Sequence, residues 1–163
     1  MSTSHLSYEN VWNNVDEPLV KELTALWMNE NVLADESAAK ERAQQVVCIG
    51  RDEDGKIAGV CTIYKQQNQR IGYPFYYYRS LVRSDARQHG VAGHLIVNAW
   101  NHMQSLTVDG QVDECVGFCV IVENEHLLKN KKEAVWPLSK LMYIGPNATG
   151  QPMRIRYFEG ATL

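Results

Sequence analysis

The chain has 163 residues, of which 45% are hydrophobic and 21% charged, with a formal net charge of −3. That is the size and make-up of a globular protein with one core, so a single domain over residues 1–163 is expected. The acidic balance and scattered basic residues exclude nucleic acid as the main partner, and no apolar run nears the roughly 18 residues that a membrane span needs. The first residues carry neither the basic nor the apolar region of a secretory signal, so a cytoplasmic location is expected.

Residues 6–12 are predicted to form a short strand, with Tyr8 and Trp12 at even spacing. Asp16 then caps a helix that opens on Glu17 and Pro18, carries Leu19, Leu23, Leu26 and Trp27 on one stripe, and ends near residues 29–31. A second, mostly polar helix starts at Asp35, because residues 36–44 favour helix by propensity. Residues 46–49 and 56–64 are rich in β-branched and apolar types and flank Asp52-Glu53-Asp54-Gly55, which predicts an antiparallel hairpin.

The centre of the chain is a strand, a loop and a helix. Residues 76–82 are aromatic and aliphatic enough for a strand, and Gly72-Tyr73-Pro74 punctuates its start. From Val91 the period changes from two to 3.6, with Ala92, Ile96, Ala99, Met103 and Leu106 on an apolar stripe and His94, Asn98, Asn101 and Ser105 opposite. Residues 112–122 read as a second central strand, apolar on both faces and therefore interior. A fourth helix is expected from Asn124, ending before Pro137, and residues 138–144 and 153–158 read as strands around the turn-rich stretch 145–152. The four cysteines, Cys48, Cys61, Cys115 and Cys119, sit among apolar neighbours in predicted strands without a CxxC pair, so they read as small hydrophobes rather than as metal ligands or a disulfide.

The first turn of a helix presents backbone N–H groups without intrahelical partners and attracts anions. Gly90, Ala92 and Gly93 would let a phosphate approach those amides closely. An ordinary strand-to-helix turn that uses glycine for tightness is the alternative reading of the same residues. The run from Val82 to Ala92 resembles the acyl-CoA signature of the GNAT superfamily of N-acyltransferases, R/Q-x-x-G-x-G/A after a strand, with Arg87, Gly90 and Ala92 at its three key positions. The order of elements is also similar to the GNAT arrangement over nearly the whole chain, and the Asp54-Gly55 hairpin breaks the alternation of a doubly wound sheet. The resemblance implies an α/β (α+β mixed) fold, with a central mixed, mostly antiparallel sheet of about six to seven strands and helices on both faces.

For function, the resemblance implies transfer of an acetyl or similar acyl group from acyl-CoA to a primary amine of a small molecule or peptide. Acetyl-CoA or another acyl-CoA is then the co-substrate. The implied partners are that CoA thioester and an amine acceptor, with no nucleic acid, no membrane and a homodimer left open. The implied CoA-binding residues are Leu81, Val82 and Arg83 on the strand edge, Arg87, Gln88, His89, Gly90, Val91, Ala92, Gly93 and His94 in the loop and helix start, and Asn124. Arg83 and Arg87 are candidates for pairing with phosphates, and a backbone N–H near Val82 for contact with the thioester oxygen. An alkylammonium has a pKa of about 10.4, so a proton acceptor is needed, and Glu123 and Tyr78 are the catalytic candidates, with His126 and His94 behind them. No metal is implied. One departure stands out: members of the family often carry a tyrosine after the fifth strand that protonates the CoA sulfur, and residues 127–140 contain none. Ser139, Tyr143 or water is left to substitute. A non-catalytic acyl-CoA-binding or partner-binding module with the same fold is the competing reading.

Overall fold

The computed structural model describes residues 5–87, 90–108 and 114–163. Seven strands, β1 (Ser7–Asn10), β2 (Val46–Arg51), β3 (Ile57–Asn68), β4 (Tyr73–Val82), β5 (Gly117–Ile121), β6 (Met142–Pro146) and β7 (Pro152–Tyr157), form one sheet in the order β1-β2-β3-β4-β5-β7-β6. The β4–β5 pair is parallel, while β1–β2, β2–β3, β5–β7 and β6–β7 are antiparallel. The helices are α1 (Glu17–Asn29), α2 (Glu36–Ala43), α3 (Val91–Val108) and α4 (Glu125–Asn130), with a 3₁₀ turn at Ser84–Ala86. This is the mixed, mostly antiparallel sheet with helices that the sequence led us to expect. Among the described residues no helix is long and apolar enough to cross a membrane.

By its internal contacts the chain forms two compact units, Met1–Ile63 with Arg79–Ala99, and Tyr64–Tyr78 with Trp100–Leu163. In the first, α1 and α2 start where their caps predict: Asp16 Oδ1 accepts the N–H of Leu19 at 3.0 Å and Asp35 Oδ1 that of Ser37 at 2.8 Å. The α1 stripe of Leu19, Leu23, Leu26 and Trp27 is buried against Val46, Ile49 and Val60. The hairpin turns at Asp52–Lys56, where Asp52 Oδ1 accepts the N–H groups of Asp54 and Lys56, both at 2.9 Å. Alternation along β3 separates the helices by face. Val60 belongs to the cluster under α1, whereas Gly59 meets Val91 and Leu95 of α3.

Helix α3 corrects one expectation. Val91, Leu95, Ala99, Trp100 and Met103 are its buried residues, while Ala92 is exposed and Ile96 and Leu106 are half-buried. The contact with Gly59 rotates the buried stripe by about one residue from the one that the apolar pattern suggests.

In the second unit, Phe118 is fully buried, stacked with Tyr78 at 5.8 Å and met edge-on by Trp100 at 5.1 Å and Phe158 at 5.9 Å. Strand β5 lies inside the sheet as predicted, but it begins at Gly117 rather than 112, and residues 112 and 113 lie outside those described. Cys115 therefore precedes the strand instead of lying in it; like Cys48, Cys61 and Cys119 it is buried and forms no disulfide among the described residues. Strand β4 starts earlier than predicted, at Tyr73, and runs through Pro74, which its position near the strand end tolerates. Strand β1 is shorter than residues 6–12, and β6 starts at Met142 rather than 138.

The shift of β6 has a local cause. Residues 136–141 close a turn, with Lys140 N–H on Trp136 C=O at 2.8 Å and Trp136 N–H on Leu141 C=O at 2.9 Å. Inside it lies Arg154, 5% exposed, donating to the carbonyls of Ala134 and Leu141 at 3.3 Å and stacked 4.2 Å from the Trp136 ring. Burial lowers the pKa of this guanidinium.

Candidate functional site

The junction between β4 and α3 is built from the first unit. Arg83 donates its backbone N–H to Ala58 C=O at 2.8 Å, so the preceding residue, Val82, directs its N–H and C=O away from β3. The Val82 carbonyl accepts Nε–H of Arg87 at 3.2 Å. The Arg83 guanidinium is fixed by Asp85 (Nε, 2.5 Å), Asp52 (Nη2, 2.9 Å) and the Ile57 carbonyl (Nη1, 3.3 Å). The Asp85 hydrogen bond is the largest influence raising the pKa of Arg83, and the same bond holds the Asp85 carboxyl below its usual range.

Ser84 is anchored from α1's end. Glu30 accepts its Oγ–H at 2.6 Å and its backbone N–H at 3.0 Å, and the hydroxyl bond, followed by the amide bond, lowers the Glu30 pKa. Arg87 Nη2 lies 3.9 Å from the same carboxylate. Gln88 and His89, both expected to bind CoA, lie outside the described residues. Gly90 follows with φ +69°, a left-handed conformation that glycine adopts without strain, and a Cβ there would meet nothing within 4 Å. Its carbonyl accepts the N–H of His94 at 3.2 Å, so the amides of Val91, Ala92 and Gly93 precede the first helical bond of α3. Val91 is buried, Ala92 exposed and Gly93 half-buried; His94 is exposed and stacked on Tyr8 at 5.1 Å. The result is a braced turn at residues 83–87 and, from Gly90, three helical amides that precede the first i→i−4 bond at the positive end of an 18-residue helix.

A cavity of about 80 Å³ lies on the α1 and α2 side of the same unit, lined by Trp27, Arg42, Val60, Thr62, Arg79 and Leu81 among others. Arg79 donates Nε–H to Thr62 Oγ1 at 3.3 Å and Nη2–H to Gln45 Oε1 at 2.5 Å. The Arg42 guanidinium carbon is 6.0 Å from the centre of the Trp27 ring. Sequence reasoning passed over Arg42, Arg79 and this cavity; the available signal was a cation inside an otherwise aromatic and aliphatic strand. Among the described residues no group of three or more His, Cys, Asp or Glu side chains is placed to share a metal ion.

No family model and no curated protein matches the chain. Solved structures do. A GNAT superfamily phosphinothricin acetyltransferase from Sinorhizobium meliloti, in complex with AcCoA, aligns over 94% of this chain and 88% of its own at 12% identity, with a TM-score of 0.62. AtaTR bound with AcCoA aligns over 94% of each chain at 15% identity and a TM-score of 0.59. An acetyltransferase of the GNAT family from Streptococcus pneumoniae aligns over 94% of this chain and 99% of its own at 12% identity, with a TM-score of 0.57. The chain has the GNAT fold. At these identities the likeness concerns the fold alone, and the site has to be argued from the residues present.

In this GNAT-fold chain, the β4–α3 junction gathers Leu81, Val82, Arg83, Arg87, Gly90, Val91, Ala92, Gly93 and His94 within the first unit. The remaining candidates fall in the second. Tyr78 is buried, 8% exposed, with its ring parallel to Phe118. Glu123 is exposed two residues beyond β5, with Oε1 3.4 Å from Gln151 Nε2. Asn124 is the N-cap of α4, its Oδ1 accepting the N–H of Leu127 at 3.1 Å, and His126 Nδ1 lies 3.1 Å from Asn130 Nδ2.

Proposed function

We propose that this chain is a cytoplasmic, single-domain N-acyltransferase over residues 1–163, transferring an acetyl or similar acyl group from acyl-CoA to a primary amine. The observation that carries the reading is Gly90 in its left-handed conformation at the point where a braced loop opens a long helix. The residues present fit acyl-CoA. The amides of Val91, Ala92 and Gly93 suit the pyrophosphate oxygens, and the Val82 N–H, turned away from β3, suits a carbonyl oxygen. Both neighbours named above in complex with AcCoA share the fold, which supports the same co-substrate here.

When bound, the thioester supplies an activated acyl carbonyl. Val82 N–H would stabilise negative charge on its oxygen, and the loop amides would hold the phosphates, because the Arg83 guanidinium is already held by Asp52 and Asp85. The transfer makes a C–N bond from the amine to the acyl carbon and breaks the C–S bond, with one proton leaving nitrogen and one reaching the thiolate. Glu123, exposed at the end of β5, is the proposed acceptor of the ammonium proton, with the Tyr78 hydroxyl as its alternative. A thiolate of pKa about 8.5 takes its proton from water, which fits the lack of a tyrosine in residues 127–140.

The test combines calorimetry with acetyl-CoA and thiol release in the presence of a panel of primary amines. Binding with turnover of at least one amine is the expected outcome, and absence of acetyl-CoA binding at millimolar concentration overturns the reading. The missing tyrosine favours one competitor, an acyl-CoA-binding module without catalysis, and binding with no thiol release from any amine would support it.

A further inference from the structure

Two cysteines of the first unit face each other across a ladder. In the β2–β3 pair the Cα partner of Cys48 is Cys61. Residues directly opposite in an antiparallel pair put their side chains on the same face, with Cα atoms about 4.5 or 5.5 Å apart. A disulfide needs roughly 4.4–6.8 Å between Cα atoms, so the register by itself meets that requirement. The sulfurs also approach: Cys61 Sγ lies 3.6 Å from the Cys48 carbonyl and 3.9 Å from that of Leu95 on α3, and the Cys61 side chain hydrogen-bonds to the Cys48 thiol. That bond is the largest influence holding the Cys48 thiol below its usual pKa, and with the backbone N–H of Glu9 it outweighs the upward push of burial. Cys119 in the second unit provides the contrast: it lies 3.9 Å from Asn68 Nδ2, and burial pushes its thiol up to about 11.

Both thiols are covered, at 1% and 0% exposed, and part of the cover is β1. Asn10 pairs with Cys48, and the Tyr8 ring lies over Gly50, where a Cβ would come within 3.1 Å of Cε1. Among the described residues β1 pairs only with β2, and Ser7, Glu9 and Asn10 are exposed, so this short edge strand opens at lower cost than the unit unfolds. We propose that Cys48 and Cys61 are a peroxide-sensitive pair that closes to a cross-strand disulfide, with Cys48 the sulfur oxidised first. The Cys48 thiolate attacks one oxygen of hydrogen peroxide, the O–O bond breaks, and the other oxygen takes the thiol proton and leaves as water, which makes Cys48 a sulfenic acid. Cys61 then attacks the Cys48 sulfur; the S–S bond forms, the S–O bond breaks, and the Cys61 proton leaves with that oxygen as a second water. Two electrons pass from the two sulfurs to the peroxide. A dithiol reverses the change by exchange, so in a reducing compartment the pair is a transient sensor and not a permanent staple.

The experiment treats the full, folded chain with millimolar hydrogen peroxide, then unfolds it, alkylates the remaining thiols and maps the cysteines by mass. The expected result is loss of two hydrogens and a Cys48–Cys61 cross-link while Cys119 is still alkylated, with dithiothreitol restoring both thiols. The order of oxidation is read by trapping with dimedone: Cys48 in Cys61→Ala should be labelled about tenfold or more faster than Cys61 in Cys48→Ala. Urea midpoints report whether these variants fold, and the mapping of the unaltered protein decides the pair without them. Peroxide that leaves both cysteines open to alkylation, or carries either of them past sulfenic acid without a cross-link, overturns the proposal. A cross-link that forms only above the urea midpoint overturns it too, since the register would then play no part. Equal labelling of the two variants removes Cys48 from its place as the first sulfur oxidised.

Discussion

A Cβ built on Gly59 of β3 would lie 2.7 Å from Cγ1 of Val91 on α3, so this pair fixes how closely the helix approaches the sheet. Val91 is 1% exposed and Leu95, also 3.2 Å from that Cβ, is fully buried, leaving neither side chain room to withdraw. Gly59→Ala is therefore expected to destabilise the protein by about 1–3 kcal/mol through overpacking, read as a lower urea midpoint. The partner change makes the argument specific. In a Val91→Ala background the same substitution should cost less, and strictly additive costs would show that the two residues do not set the spacing.

Gly90 is a different case, because space is free around it and only the backbone conformation demands glycine. Gly90→Val should lose about 1–2 kcal/mol of stability from the left-handed φ, whereas Gly90→Asn should lose less, since Asn tolerates that region. If the Val91–Gly93 amides receive the pyrophosphate, valine should also weaken acetyl-CoA binding by about tenfold or more, corresponding to loss of a charge-assisted hydrogen bond. Calorimetry on both variants checks this. A folded Gly90→Val protein that binds acetyl-CoA as tightly as the unaltered chain would remove the loop from the site.

These two glycines also mark what was legible in the sequence. Gly90 could be read because its meaning is local: a strand, a polar loop and a change of hydrophobic period surround it. The caps Asp16 and Asp35 and the Asp54-Gly55 hairpin were legible for the same reason, each acting within a few residues. Gly59 was not, since its value depends on a helix that arrives later in the chain, and that contact is what rotated the buried stripe of α3 from Ala92 and Ile96 to Val91 and Leu95. Arg154 misled in the same way at residues 138–141, which look β-rich but wrap a buried cation. Arg42 and Arg79, which line one cavity, come from α2 and β4, and only the fold brings them to it.

Two carboxylates that brace the loop make stability depend on acidity. The Glu30 pKa is lowered by Ser84, first through its hydroxyl and then its amide, and Asp52 is lowered overall because bonds from the Lys56 amide and Arg83 outweigh the upward push of burial. Folded pKa values below the unfolded ones, about 4.3 for Glu and 3.9 for Asp, mean that the stabilisation is fully present above those values and disappears as pH falls through the folded ones. The urea midpoint should therefore decline below about pH 4, and Glu30→Gln and Asp52→Asn should each flatten that decline. A midpoint whose acid dependence is the same in both variants as in the unaltered protein would show that these carboxyls do not couple to folding.

The last prediction separates the loop amides from the arginine as the anchor of the CoA phosphates. Arg83 looks by sequence like a phosphate ligand, yet its N–H is spent on Ala58 and its guanidinium on Asp52, Asp85 and the Ile57 carbonyl. Turning it toward a ligand would strip Asp52, whose side chain is only 16% exposed, of its charged partner. Arg83→Gln should accordingly lower stability by about 1–2 kcal/mol while changing the acetyl-CoA Kd by less than about threefold. Salt provides a second reading of the same question. An anchor made of backbone amides carries no full charge to be screened, so the Kd in Arg83→Gln should show nearly the same dependence on ionic strength as in the unaltered protein. A loss of about tenfold or more in affinity, together with a flatter salt dependence, would instead make Arg83 a direct phosphate ligand and its pairing with Asp52 an arrangement that binding breaks.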